Sequence, residues 1–216
     1  MKTLIAYHGK PSEKKALLKQ LHAHAVADEI VKGKYWENGK GCAIGCILHS
    51  GDHAELEPRY GVPVHIGYLV DVIFENLPNA LSKAWPERFA KAIKPGSDLS
   101  KVYPLFTVWM LTDPKDGVIR FADKDGEKAI RAVSDLFLSR ANGKEPSAAA
   151  WAAARDAAWD AAGAAARAAA RDAAGAAAGA AAGAAARDAA RAIQTKDLLA
   201  VLDGSLVFEE PSHDPP

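Results

Sequence analysis

Cys42, Cys46 and His49 stand at i, i+4 and i+7 inside "KYWENGKGCAIGCILHSGDH", residues 34 to 53. A helix would put all three on one face. Thiolates and an imidazole at that spacing suit three chemistries. One is a zinc site, with His53, His24 or His8 as further ligands. Zinc patterns pair two cysteines with a second, distant pair, and these are the chain's 2 cysteines in all. A second is a nucleophile. Cys42 follows "NGKG", near a helix start and beside Lys40, and both features lower a thiol pKa. His8, His24 or His49 would then serve as base, with Asp28 orienting one of them. No signature of a cysteine hydrolase surrounds Cys42. The third is packing: a free cysteine behaves as a small hydrophobe, and Gly41, Ala43 and Gly45 let a short helix lie tight against a neighbour. The expectation is two buried, reduced thiols on one short helix without metal.

The same stretch also suits a bound small molecule. "YWENGKG" places Tyr35, Trp36, Asn38 and Lys40 on a glycine-rich turn before a helix start, where backbone N–H groups bind anions. Tyr35 and Trp36 can stack on a planar ring. His24 and Asp28, four apart on the preceding helix, point to the same place. Tyr7 and His8 near the N-terminus are further candidates. A helix over 12–32 and a second starting near Gly41 form an antiparallel pair, which brings His24 and His49 to similar heights. Such a cleft fits a phosphate-bearing nucleotide. Neither a Walker nor a Rossmann fingerprint is present, and no cofactor is expected.

The elements that must hold these residues read as helices. "PSEKKALLKQLHAHAVADEIVKG" carries a stripe of Leu17, Leu18, Leu21, Ala25 and Val26 and stops at Gly33. "PVHIGYLVDVIFENLP" starts with a helical proline and stops before Pro78. "PERFAKAIKPG" reads as a short helix with a proline start, and "DLSKVYPLFTVWMLTDP" as a buried segment broken or kinked at Pro104. "DKDGEKAIRAVSDLFLSRANG" has Ala129, Ile130, Val133, Leu136 and Phe137 on one face, Asp at its start and Asn-Gly at its end. "LIAY" and "SLVFEE" are weak strand candidates. The class is all-α: a globular multi-helix N-terminal part over 1–146, close-packed alanine-rich helices over 147–203, and a tail over 204–216.

The alanine-rich part has its own logic. Two thirds of residues 148–192 are alanine, and the others, apart from aspartates that directly follow several of them, fall on a tetrad that includes Trp151, Arg155, Trp159, Gly163, Arg167, Arg171, Gly175, Gly179 and Gly183. Alanine makes helix the expected state. Four residues turn a helix by roughly 400°, so the marked position drifts about 40° per repeat. One straight helix of this length would span roughly 70 Å. A compact domain of this size is about 45 Å across. The tract is therefore expected to break near Gly163 or among the later glycines; the alternative is projection onto another chain. Small side chains allow close helix crossings. The Arg–Asp neighbours form a solvated rim. Arg155, Arg167, Arg171 and the two tryptophans as an anionic-ligand surface, and an ice-like hydration face, are further alternatives.

Lys plus Arg and Asp plus Glu number 27 each, in 216 residues that are 49% hydrophobic and 25% charged. That balance gives no reason to expect nucleic acid as partner. The apolar run of "MKTLIAYHGK" is too short for a signal peptide, and runs of membrane-spanning length are interrupted by Arg and Asp. A soluble cytoplasmic protein is expected.

"LHAHAVADEIVKGKYWENGKGCAIGCILH" and "LEPRYGVPVHIGYLVDVIFENLP" resemble a family of uncharacterised bacterial and bacteriophage proteins. Its shared core reads H-x3-DEI…G-x-YWENGKGCAVGC-x2-H, here His24, Asp28, Tyr35 to Cys46, and His49. The alanine tetrads are similar to immunity-protein-like domains, with glycine where those carry tryptophan at 175, 179 and 183. The resemblance implies a role in bacterial immunity or in a phage's answer to it, and no assigned catalytic activity. The expected function is non-catalytic binding of a small anionic molecule, most sharply a phage-type sponge for a nucleotide immune signal. The alternatives are an enzyme using Cys42 or a His–Asp pair, and an immunity or interaction protein whose alanine helices bind a protein partner or a second copy of the chain.

Overall fold

The computed structural model describes residues 2–173 together with Leu198, Leu199 and Leu202. Within them the protein is all-α. Its helices are α1 (Pro11–Val26), α2 (Ala43–Leu48), α3 (Leu56–Tyr60), α4 (Val64–Asn76), α5 (Asn79–Ala92), α6 (Val102–Thr112), α7 (Lys124–Ala141) and α8 (Ala148–Ala173). The strands described are β1 (Trp36–Glu37) and β2 (Lys40–Gly41), which pair antiparallel with Trp36 opposite Gly41.

The core is built around α2. Its sequence "AIGCIL" has no polar side chain, and each of its residues is buried. Helices α1, α4 and α5 surround it. Gly45 is required by this packing, because a methyl group there would overlap the Tyr35 carbonyl. Trp85 of α5 is fully buried, and its indole N–H donates to the Val70 carbonyl at 3.1 Å, so the large ring leaves no polar atom unpaired.

Several boundaries differ from the sequence expectation. Helix α1 stops at Val26, not near residue 32. Its inward face is Leu17, Leu21 and His24, while Val26 is exposed. Helix α5 begins at Asn79 and runs through Pro86, which lies buried within it rather than at its start. Pro104 sits in the first turn of α6, where its missing N–H would lack a helical partner anyway, so it neither breaks nor kinks the segment. Helix α8 continues past Gly163 to Ala173, so the expected break does not fall at Gly163. Gly175, Gly179, Gly183 and "SLVFEE" lie outside the described residues. "LIAY" contributes an isolated bridge, Ile5 to Asp98, and then turns into a 3-10 segment over Ala6–Gly9.

A second helical layer, α6 against α7 and α7 against α8, leans on the core through aromatic rings. His65 of α4 meets Tyr103 of α6 at 4.7 Å, Tyr103 meets Phe137 of α7 at 5.9 Å, and Phe137 meets Trp151 of α8 at 5.0 Å. Leu198 and Leu202 are buried in the same core as α2. Among the described residues no helix is long and apolar enough to cross a membrane.

Candidate functional site

The early end of α1 decides the site. After Val26 the chain turns at Asp28, which adopts a left-handed φ of 54°. The Glu29 N–H then donates to the His24 carbonyl at 3.0 Å, and the Glu29 carbonyl accepts from the Gly41 N–H at 3.0 Å. With its backbone tied at both groups, Glu29 folds its side chain back onto α1. Its Oε2 lies 2.6 Å from His24 Nδ1. A carboxylate only accepts, so Nδ1 carries the proton.

His24 Nε2 lies 2.7 Å from His49 Nε2. His49 caps the C-terminal end of α2 with a left-handed φ of 53°, and its N–H donates to the Gly45 carbonyl at 2.8 Å. Two arrangements of protons satisfy the contact. Either neutral His24 accepts from His49 Nε2–H, or His24 as imidazolium donates to His49. Trp36 completes the group, stacked on His49 at 4.5 Å with 16° between planes. His24 meets Trp36 edge-on at 5.5 Å. Partial burial, then the neighbouring His24 and Arg59, hold the His49 pKa below the ordinary histidine value. The Arg59 guanidinium donates to the Leu48 carbonyl, one residue from His49. His24 is buried and His49 exposed, so the group opens to solvent on the His49 side.

Of the expected site residues, His24, Trp36 and His49 are brought together, and the others are not. Asp28 points away and pairs with Lys83, whose hydrogen bond and charge hold its carboxyl below the usual range. The i, i+4 argument for Asp28 fails because the helix ends before it; Glu29 takes that place. Asn38 and Gly39, with φ of 52° and 78°, form the tight turn between β1 and β2. Both central residues have positive φ, the turn type that Asn-Gly favours, so Asn38 has a structural task. Lys40 is exposed on β2 near Asp28. Tyr35 faces the other way, edge-on to His53 at 5.6 Å. Tyr7 is buried, with its hydroxyl donating to the Ala90 carbonyl at 3.0 Å and its ring against Tyr60. His8 is exposed with Nε2 3.1 Å from the Pro58 carbonyl oxygen. Neither shares a hydrogen bond or ring contact with the imidazole pair.

The expected anion-binding amides are occupied. Gly41 N–H goes to Glu29, Cys42 N–H to Lys34 and Tyr35, Ile44 N–H to Asp71 Oδ1, and Gly45 N–H to Cys42 Sγ. Cys42 is thus the N-cap of α2. Both thiols are buried and free. Burial, with the Asp71 charge second, pushes the Cys42 pKa up to about 12, and burial pushes Cys46 to about 12 as well. The lowering expected from Lys40 and the helix start is overturned, and with it the thiolate needed for a Cys42 nucleophile.

Sequence reasoning missed a second pair. His53 Nε2 lies 2.8 Å from Asp71 Oδ2, both buried. Tyr68 stacks on His53 at 4.5 Å. Asp71 sits on α4, inside an otherwise apolar helical stripe, and nothing in its spacing to His53 connects them. A cleft of about 390 Å³, lined by Lys34, Tyr35, Cys42, Asp71, Val72 and Glu75 among others, adjoins this pair and shares no residue with the His24–His49–Trp36 group. No group of three or more metal-ligating side chains occurs among the described residues. Comparison with family models, curated proteins and solved structures gives no match to this chain.

Proposed function

We propose that the protein binds a small anionic molecule at the His24–His49–Trp36 group, without turning it over. The observation that carries this reading is the Glu29–His24–His49 hydrogen-bonded chain, roofed by Trp36 and open at His49. In the arrangement where His24 as imidazolium donates to His49, the proton of His49 sits on Nδ1 and is left to donate to an incoming acceptor. The indole face suits a flat group on the same ligand. Arg59, whose guanidinium donates to the Leu48 carbonyl one residue from His49, adds positive charge nearby. A nucleotide combines a planar base with a charged phosphate. The sharpest form is a phage-type sponge that sequesters a nucleotide immune signal, an idea that comes from the resemblance of the YWENGKGCAIGC segment.

A thermal-shift screen of mono-, di- and cyclic nucleotides and of ADP-ribose derivatives tests it. Ligand at about 100 times its dissociation constant adds roughly 2.7 kcal/mol of stability. Trp36→Ala and His24→Ala abolish that gain. No shift with any nucleotide, or one untouched by both variants, sinks the assignment. An enzyme is the second reading, favoured by the buried His53–Asp71 contact of 2.8 Å. Mass spectrometry of each ligand after incubation separates the two: binding returns it intact, and turnover does not. A protein partner on the alanine helices is the third, for which the exposed Trp159 of α8 speaks. It predicts no small-molecule stabilisation.

A further inference from the structure

We propose that the His24–His49 contact is a one-proton lock, which opens when acid loads a second proton onto the pair and then releases Trp36. The ring nitrogens leave no other outcome. Glu29 keeps a proton on His24 Nδ1. In the singly charged pair His24 also carries one on Nε2 and donates it across 2.7 Å to His49 Nε2, while His49 carries its own on Nδ1. A second added proton has one nitrogen left to take it, His49 Nε2, and that atom is the acceptor of the contact. Two N–H groups would then meet head-on and two like charges would face each other. Taking up that proton and keeping the contact therefore exclude each other.

The fold decides which ring leaves. His24 is buried on α1 and held by Glu29. His49 is exposed, just beyond the last residue of α2, so it is the ring that turns out to water. Trp36, stacked on it at 4.5 Å, loses that partner. The charged groups that act on His49 are His24, Glu29 from the loop after α1, and Arg59 of α3, which also pairs with Glu55. Helix α2 adds the Cys46 thiol, protonated throughout the range concerned. On the hairpin Lys34 pairs with Glu37, and Lys40 lies near Asp28. Asp52, after α2, accepts from the Ala54 N–H. Burial, His24 and Arg59 oppose the second proton and together outweigh Glu29, which favours it. A folded value below the ordinary 6.5 fixes the sign: the closed lock contributes stability fully above about pH 6.5, and this is lost as pH falls through the lowered value. The lock controls the seat of the molecule proposed above, but it stands without that reading.

The test follows the full chain, labelled with nitrogen-15 and without ligand, by NMR as pH falls from about 7.5 to about 5, above the range in which ordinary carboxylates titrate. The Trp36 indole N–H signal is the one missing from Trp36→Phe. It is expected to move with a midpoint below 6.5, while the buried Trp85 indole signal and the far-UV circular dichroism hold still. His49→Asn removes the transition, and asparagine tolerates the left-handed cap, so the fold is kept. Glu29→Gln moves the midpoint down and Arg59→Met moves it up, because the carboxylate attracts the second proton and the guanidinium repels it. His8→Ala and His22→Ala leave it unchanged. A Trp36 signal that stays still overturns the proposal, as does one that still moves in His49→Asn. Midpoint shifts of the same sign in Glu29→Gln and Arg59→Met overturn it too. With no ligand present, the result is independent of the nucleotide screen: a silent screen leaves the lock standing, and a motionless Trp36 leaves the anion reading standing.

Discussion

Cys42 and Cys46 set the chemistry of the core by staying protonated. Their folded pKa values, pushed to about 12, lie above the ordinary thiol value of 9.0. The sign follows from linkage. Each thiol contributes stability that is fully present below about pH 9 and is lost as pH rises through about 12. Stability measured by urea unfolding therefore falls over that window, and Cys46→Ala makes the fall shallower. At pH 8 iodoacetamide labels neither thiol in the folded chain and both in denaturant. Labelling of native Cys42 at the rate of a free thiol would contradict its placement as a buried cap. Gly45 is the neighbouring constraint. Gly45→Ala forces a methyl group onto the Tyr35 carbonyl and is expected to cost about 3 kcal/mol through overpacking, read as a shift in the urea midpoint.

At the scale of elements, the β1–β2 hairpin carries Trp36 to the imidazole pair. Gly39→Ala keeps open space around the new methyl group but puts it at a φ of 78°. The expected cost is about 1–2 kcal/mol, with weaker ligand binding because Trp36 loses its seat. Asp28→Ala, by contrast, removes an exposed, solvent-screened pair with Lys83 and leaves the urea midpoint essentially where it was. It leaves binding intact. The contrast shows what the sequence could disclose. Helical periodicity and caps located α2, α4 and α7 closely, since proline, glycine and apolar spacing act locally. The end of α1 was not legible, because "ADEI" continues the helical pattern and only the tertiary bridge of Glu29 and Val31 to Gly41 ends it. One wrong boundary was enough to choose Asp28 over Glu29. The hairpin had a local signal in Asn-Gly that short flanking strands obscured. His53 and Asp71 come together only through the packing of α4, which spacing along the chain does not reveal.

Across the whole molecule, the aromatic sequence His65, Tyr103, Phe137 and Trp151 joins the α6–α8 layer to the part that holds the imidazole pair. Trp151→Ala is expected to lower stability by about 2 kcal/mol through lost burial, measured by chemical denaturation. It leaves the His24–His49 geometry, and so the nucleotide-induced shift, unchanged. A loss of both together would mean that the alanine helix takes part in the site.

Helix α2, every one of whose six residues is buried, also makes the protein its own gauge. Its amide hydrogens cannot reach solvent through fraying of an exposed end, because Leu48 is as closed off as Ala43. Deuterium enters there only when the whole core opens. The uptake rate of the peptide spanning Ala43 to Leu48 thus reports global unfolding free energy. Peptides from α8 report local opening on the same spectrum. A ligand that slows exchange in α2 and leaves α8 untouched has raised the stability of the core itself, and its bound fraction can be read without any label.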